Sequence, residues 1–286
     1  MSEPHISVGL PVFNGAAFLG AALDSILSQD TQDFEIVISD NASTDGTQEL
    51  CEAYARVDRR IRVFRQARNI GAPANWNFVA RAAHGTYFKW ASASDLCAPR
   101  LLSACAERLD SVPDAVLAYP RTVYIDDEGR ETGGSKRDLE ILDPCPAARF
   151  KRVSAGLSIN NAQQGLIRHS ALMATRLDRL YPGGDLVLMA ELALLGKFVL
   201  VPERLLLRRA SPEHWTANRS AFDVDRMFWP DGPPRLRLVN VRRHLDYLRT
   251  ALTARLPLRA RLEAAGFALK HAYWSRGVLR ADLGQL

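Results

Sequence analysis

Cysteine is scarce. The 286 residues hold four, Cys51, Cys97, Cys105 and Cys145, with no C-x-x-C pair and no Cys/His grouping at zinc spacing. That argues against a disulfide framework or zinc site and reads as reduced, half-buried thiols of a cytoplasmic protein. No apolar run approaches the ~18 residues that a membrane span needs. The opening MSEPHISVGLPVF has no basic stretch followed by an apolar one, so no secretory leader is expected. The chain reads as soluble, or at most peripheral to a membrane. A G-x-G-x-x-G loop is also missing: Gly9-Leu10-Pro11 runs straight into Phe13-Asn14. A dinucleotide-binding dehydrogenase is set aside on that ground.

What is present is ordinary globular material, 47% hydrophobic and 24% charged, with 18 Gly and 15 Pro. A chain of this size buries roughly 70–75% of its unfolded surface, so a large core needs no staples. The charge is uneven. Residues 216–286 carry 13 Lys/Arg against 6 Asp/Glu, a net +7, and the rest carry 24 against 26, a net −2. A basic tail on a near-neutral body argues against a whole-surface nucleic-acid binder.

Through the first half, strand and helix patterns alternate. Strands are expected at 5–10 (ended by Pro11), 34–39, 61–65, 87–91 and 115–119. Helices are expected at 16–29, 48–57, 74–83 and 99–109, with Asp45 in an approximate capping box for the second. This alternation implies right-handed crossovers and a mainly parallel sheet, an α/β fold. Ligands of such sheets sit beyond the carboxyl ends of the strands. Four strand ends are rich in Asn, Asp, Ser and Gly: 11–15, 40–46, 69–77 and 92–95. Further on, a hairpin is expected over 124–132 and a polar, mobile connection over 133–157. A strand at 161–168, a helix at 186–195 and a strand at 198–201 follow. After the breaker WPDGPP (229–234), Arg-rich amphipathic helices are expected at about 235–255 and 257–281.

Five segments carry a likeness: VGLPVFNG (8–15), ISDNASTDGT (38–47), RNIGAPANWN (68–77), ASASDLCAP (91–99) and GGDLVLMAELALLGKF (183–198). In this order they resemble the family 2 inverting glycosyltransferases of bacterial type. The likeness covers about residues 5–210. It implies the GT-A fold, a Rossmann-like mixed, mainly parallel sheet flanked by helices, over residues 1–215. A C-terminal basic helical appendage would occupy 216–286.

The resemblance assigns a nucleotide-contacting turn to Pro11, Phe13 and Asn14; Asn14 reads equally as the cap of the following helix. Asp40 would take a nucleobase amide or imide proton; alone it would be a solvated loop acid. Asn69 and Asn77 would reach ribose or phosphate oxygens, and Gly71 would allow a close approach or a positive φ. Asn75 and Trp76 read as helix surface and core. The family's Asp-x-Asp-Asp motif stands here as Ser92-Ala93-Ser94-Asp95. Asp95, with help from Ser94, would hold Mg²⁺ or Mn²⁺ through hard oxygen donors; otherwise it caps the helix near Pro99. The thinned motif implies weaker metal dependence or lost turnover.

Asp185 matches the last acid of the family's Glu-Asp pair and would take the acceptor's proton as catalytic base. The preceding Glu is Gly184 here. Without that role, Asp185 is a first-turn acid favoured by the helix dipole. Arg209 would close over the diphosphate. Ser211 replaces the family's His, leaving His214 or Trp215 as stand-ins. The implied donor is a nucleotide-diphosphate sugar, and the implied acceptor a glycan or lipid-linked hydroxyl in surface polysaccharide assembly. The tail reads either as a dock for an anionic inner membrane leaflet or as a solvated helical pair packed on the body, with a homodimer through these helices as a further partner. The competing reading is a nucleotide-sugar-binding homologue with weak turnover, acting as a subunit or scaffold.

Overall fold

The computed structural model describes residues 4–135, 138, 140–156, 160–209 and 221–284. Ser211, His214 and Trp215, and the expected boundary after residue 215, lie outside the described residues. The first half follows the sequence pattern closely: β1 (Ile6–Val12), α1 (Ala16–Leu27), β2 (Phe34–Asp40), α2 (Thr47–Val57), β3 (Ile61–Arg65), α3 (Ala72–Ala82) and β4 (Tyr87–Trp90). These strands are parallel and ordered β3-β2-β1-β4, so the connection after β3 returns to the other flank of β1. That reversal is the switch point where such sheets open a crevice.

Pro11 does not end the first strand. β1 pairs with β2 through Pro11↔Ser39 and Val12↔Asp40, whereas its pairing with β4 stops at Gly9↔Trp90. Gly9 accepts from the Ala91 N–H and Val12 from the Asn41 N–H, so Pro11 turns its nitrogen to the flank that has already ended. The missing donor therefore costs no ladder bond.

The second half is antiparallel and mixed: β5 (Leu96–Cys97), α4 (Leu101–Ser111), β6 (Ala115–Ile125), β7 (Glu131–Gly134), α5 (Pro146–Gly156), β8 (Leu166–Arg168), α6 (His169–Met173), α7 (Gly184–Leu195) and β9 (Lys197–Arg209). β8 runs antiparallel between β4 and β6, and β6 pairs in parallel with the long β9. The sheet as a whole is mixed, with its parallel order confined to the flank that opens the crevice and to β6–β9. The expected hairpin is there, β6 turning into β7 with Gly129 at φ +82°. The connection over 133–157 is not all loop: α5 buries Phe150 and Val153. The helix expected from Pro99 begins at Leu101 with Arg100 at its cap position, so Asp95 does not cap it.

Two apolar clusters fill the two faces of the sheet. One packs α1, α2 and α4 through residues such as Leu19, Leu23, Cys51, Leu102 and Leu109. The other packs α3, α5 and α7, and it also takes Tyr247 and Ala251 of α9 (Val239–Thr253) and Ala264, Ala265 and Ala268 of α10 (Leu258–Trp274). The C-terminal helices are present as expected and share their inner faces with the body. Their outer faces differ. Leu258, Leu262, Leu269 and Tyr273 of α10 are each more than half exposed. At 3.6 residues per turn they fall within an arc of about 60°. Trp274 and, on α11 (Arg276–Leu283), Val278 are also exposed. Among the described residues no helix is long and apolar enough to cross a membrane.

Candidate active site

The loops leaving β1, β2 and β3 are stitched into one floor by side chain to backbone bonds. Asn14, at φ +49°, donates its N–H to Ser43 Oγ at 2.8 Å and accepts the Thr44 N–H on its side-chain oxygen at 2.9 Å. It therefore bridges two loops; the cap position of α1 is Gly15. Asp45 works at two helix starts at once: Oδ2 accepts the Ala16 N–H of α1 and Oδ1 accepts both the Thr47 N–H and hydroxyl of α2. Burial works against its carboxylate, but these bonds outweigh it and hold its pKa below the usual value. Asn41, wholly buried, takes the Ile70 N–H on Oδ1 and donates Nδ2 to Asn69 Oδ1, while its own N–H donates to Val12. Asn69 Oδ1 also accepts the Gly71 N–H.

Above this floor lies a cavity of about 600 Å³. Pro11, Phe13 and Asn14 line one side, Asn41, Ala42 and Thr44 a second, and Arg68, Asn69, Asn75 and Trp76 a third. The fourth wall comes from far along the chain. Asp223, Arg226 and Met227 of α8 (Ala221–Phe228), with Pro230 and Asp231 beyond it, face the same space. Arg68 is ion-paired with Asp231, and the Trp229 indole donates to the Leu180 carbonyl at 3.1 Å. Gly71 shows why that position is glycine. Its φ is +84°, and a Cβ would sit 2.9 Å from the Phe228 carbonyl oxygen.

The residues expected from sequence divide. Pro11, Phe13, Asn14 and Asn69 line the cavity, and Phe13 is half exposed. Asp40 lies beneath the floor, fully buried, with Oδ2 2.6 Å from Arg65 and Oδ1 accepting the Ser43 N–H. Asn77 faces elsewhere: it donates to the Asp178 carbonyl at 2.8 Å and accepts the Asp178 N–H at 3.0 Å, pinning the segment ahead of α7. Arg209 is buried beside the Ser92–Asp95 turn. Its guanidinium donates to the Ser94 and Asp126 carbonyls and lies 4.4 Å over Phe18, so it organises that turn and does not face the cavity. Ser94 pairs with Ser92, their hydroxyls 3.0 Å apart.

Asp95 does not make a divalent-cation site. Its Oδ1 accepts the Arg209 N–H, it is buried, and burial raises its carboxyl pKa against the pull of Arg208, Arg209 and Lys89. A cation needs several hard oxygen donors. Here one enclosed carboxylate stands among three positive side chains, and no group of three or more His, Cys, Asp or Glu comes together among the described residues. The sequence reading passed over Lys89. It is buried in β4, with its ammonium donating to the Trp90 and Gln164 carbonyls under this turn.

Asp185 stands in the first turn of α7, half-buried, and accepts from Asn160 Nδ2 at 3.0 Å. Cavity residues missed from sequence are Asn41, Asn75, Trp76, Arg68 and the wall at 223–231. Asn41, Arg68, Asn75 and Trp76 all sat inside flagged segments, 38–47 and 68–77, without being singled out as ligand-facing; the wall at 223–231 had no local signal.

Comparisons with known proteins bear on the fold and the family. GlyG, a glycosyltransferase of Streptococcus pneumoniae, is 31% identical over 109 residues, 38% of this chain and 36% of GlyG. The chain spans about a third of the length of such curated relatives. S. aureus TarS 1-349 in complex with UDP-GlcNAc superposes with a TM-score of 0.65 at 16% identity, covering 94% of this chain and 72% of that one. The mannosyltransferase PcManGT of Pyrobaculum calidifontis, in complex with GDP-Man and Mn²⁺, gives 0.56 at 17% identity over 100% and 86%. These two likenesses establish the GT-A type of fold. The sequence profile of Glycosyl transferase family 2 matches residues 7–176, more than half of the chain, and it is to this family that the chain belongs.

Proposed function

We propose that the chain transfers a sugar from a nucleotide-diphosphate sugar to a hydroxyl of a glycan or lipid-linked acceptor, with inversion, in bacterial surface polysaccharide assembly. The observation that carries this reading is the cavity at the carboxyl edge of β1, β2 and β3. Asn14 and Asn69 bring amide groups suited to base edges and ribose hydroxyls to a floor that Asn41 holds together, Phe13 and Trp76 supply flat faces, and the guanidinium groups of Arg68 and Arg226, set against Asp231 and Asp223 on the same wall, can exchange those partners for a diphosphate. The nucleotide sugars held by TarS and PcManGT support the same donor class.

In the transfer, the Asp185 carboxylate takes the proton of the acceptor hydroxyl while that oxygen forms a bond to the anomeric carbon. The bond from that carbon to the diphosphate breaks, and the nucleoside diphosphate leaves with the electron pair. One displacement inverts the centre. No step runs through a metal ion. The basic outer faces of α9 and α10, with their exposed Leu and aromatic side chains, are read as the seat of an anionic inner-leaflet surface, placing the protein on the cytoplasmic face of the plasma membrane.

The test is calorimetric titration with UDP-, dTDP- and GDP-sugars, with and without Mn²⁺. One donor is expected to bind, with an affinity that Mn²⁺ changes little. Asp185→Asn is expected to keep that binding and lose roughly 10²–10⁴-fold in turnover. Failure of every donor to bind overturns the reading. Donor binding without turnover against any acceptor favours the non-catalytic subunit.

A further inference from the structure

The proposal here rests on Asp185 as base. We infer that Asp178 is a second carboxyl of the base site, packed against Gly184 beside Asp185, and that it positions the proton there. Gly184 carries the argument. A Cβ built at that residue would lie 2.7 Å from Asp178 Oδ1 and would also meet the backbone of Arg179. The room that a side chain at 184 would need is taken by the Arg179 backbone and Cβ together with the Asp178 carboxyl, so this carboxyl packs directly against the residue before Asp185. A sequence reading counts one acid; the folded segment brings two together.

Asp178 is held for this placement. Asn77 grips its backbone from both sides, N–H and carbonyl. The residue is half-buried, but Oδ1 is sealed from solvent and has no hydrogen-bond partner among the described residues. A buried, unpaired carboxylate oxygen is costly if ionised. Burial, and then the charge of Asp185, push its pKa well above the usual carboxylate range, while Arg179 pulls the other way. The charged groups around this segment are Arg176 and Arg179 of its own loop, Asp185 of α7, Arg81 of α3, and Arg243, Asp246 and Arg249 of α9. Of the two carboxyls, Asp178 is the one whose buried, unpartnered oxygen favours holding the proton.

The proton's location is read without substrate. A carboxyl whose pKa is raised on folding binds more protons folded than unfolded. Its stabilisation is full below the unfolded value of about 4 and is lost as pH rises through the folded value. Unfolding stability of the wild type is expected to fall over that window, and Asp178→Asn to show a smaller fall, the remainder belonging to the other buried carboxyl, Asp95. Asp185→Asn, which removes the neighbouring charge, is expected to shrink it. In turnover, Asp178→Asn is expected to lower kcat about tenfold, leave donor affinity unchanged and change the pH profile of kcat on its alkaline side. The same stability slope in Asp178→Asn as in the wild type overturns the proposal. So does a loss of kcat with an unchanged pH profile, which marks a merely structural role. If no donor binds, the transferase reading fails, while the stability slopes still decide where the proton sits.

Discussion

Asn41 holds three strand ends with one side chain and one peptide N–H. It reaches Val12 at the end of β1, Asn69 beyond β3 and the Ile70 N–H ahead of α3. Asn41→Ala leaves the Ile70 N–H without its acceptor and is expected to cost about 1–3 kcal/mol of stability, measured by denaturant unfolding, and to weaken donor binding. Asn41→Asp retains an acceptor for Ile70 and is expected to lose less stability. At this scale the sequence was only partly legible. Asn14 and Asn69 stood at strand ends, and their place on the cavity followed from that position. Asp40, Asn77 and Arg209 stood at equally suggestive positions, but their polar atoms are engaged by Arg65, Asp178 and Ser94, partners that only the fold brings within reach.

Among the elements, the starts of α1 and α2 depend on each other through Asp45, which accepts N–H groups from both. Asp45→Ala is expected to cost about 1–2 kcal/mol, since helix-start acceptors are worth about 1 kcal/mol each. Thermal unfolding of the variant measures it, and a change within error would show that water replaces both bonds. Gly71→Ala tests the cavity wall. It forces a non-glycine residue to φ +84° and drives a Cβ against the Phe228 carbonyl, so the segment carrying Pro230 and Asp231 must shift. Donor affinity is expected to fall more than stability does; unchanged affinity would separate that wall from the nucleotide. The parallel strands and their helices were legible because each is set by local periodicity. The two-residue β5, the helix α8 and the full length of β9 were not, because each is fixed by packing against residues more than eighty positions away.

The whole molecule presents two unlike surfaces. The crevice edge is polar, and the outer faces of the last helices join arginine to exposed Leu258, Leu262, Leu269, Tyr273 and Trp274. Sedimentation with vesicles is expected to show binding to anionic lipid that weakens as salt rises. Leu262→Asp with Leu269→Asp is expected to abolish that binding without altering donor affinity. Equal partition onto neutral vesicles, or none onto anionic ones, removes the membrane from the picture. The charge excess that pointed to this surface was plain in the sequence; that the same helices bury Tyr247 and Ala264 in the body was not, because it depends on the partner face supplied by α5 and α7.

The wall at 223–231 also sets an order in time. Synthesis proceeds from the N-terminus, and domains can begin to fold as they emerge. β1 to β4 and their three loops are complete by residue 95, yet the cavity they floor stays open on one side until more than a hundred further residues have been made. On a ribosome, the growing chain therefore has the parallel flank of the sheet well before it has the fourth wall of the cavity. Nascent chains arrested before and after residue 231 should differ in their capacity to retain nucleotide, and ligand-assisted folding can act only on the last stage of the chain's birth.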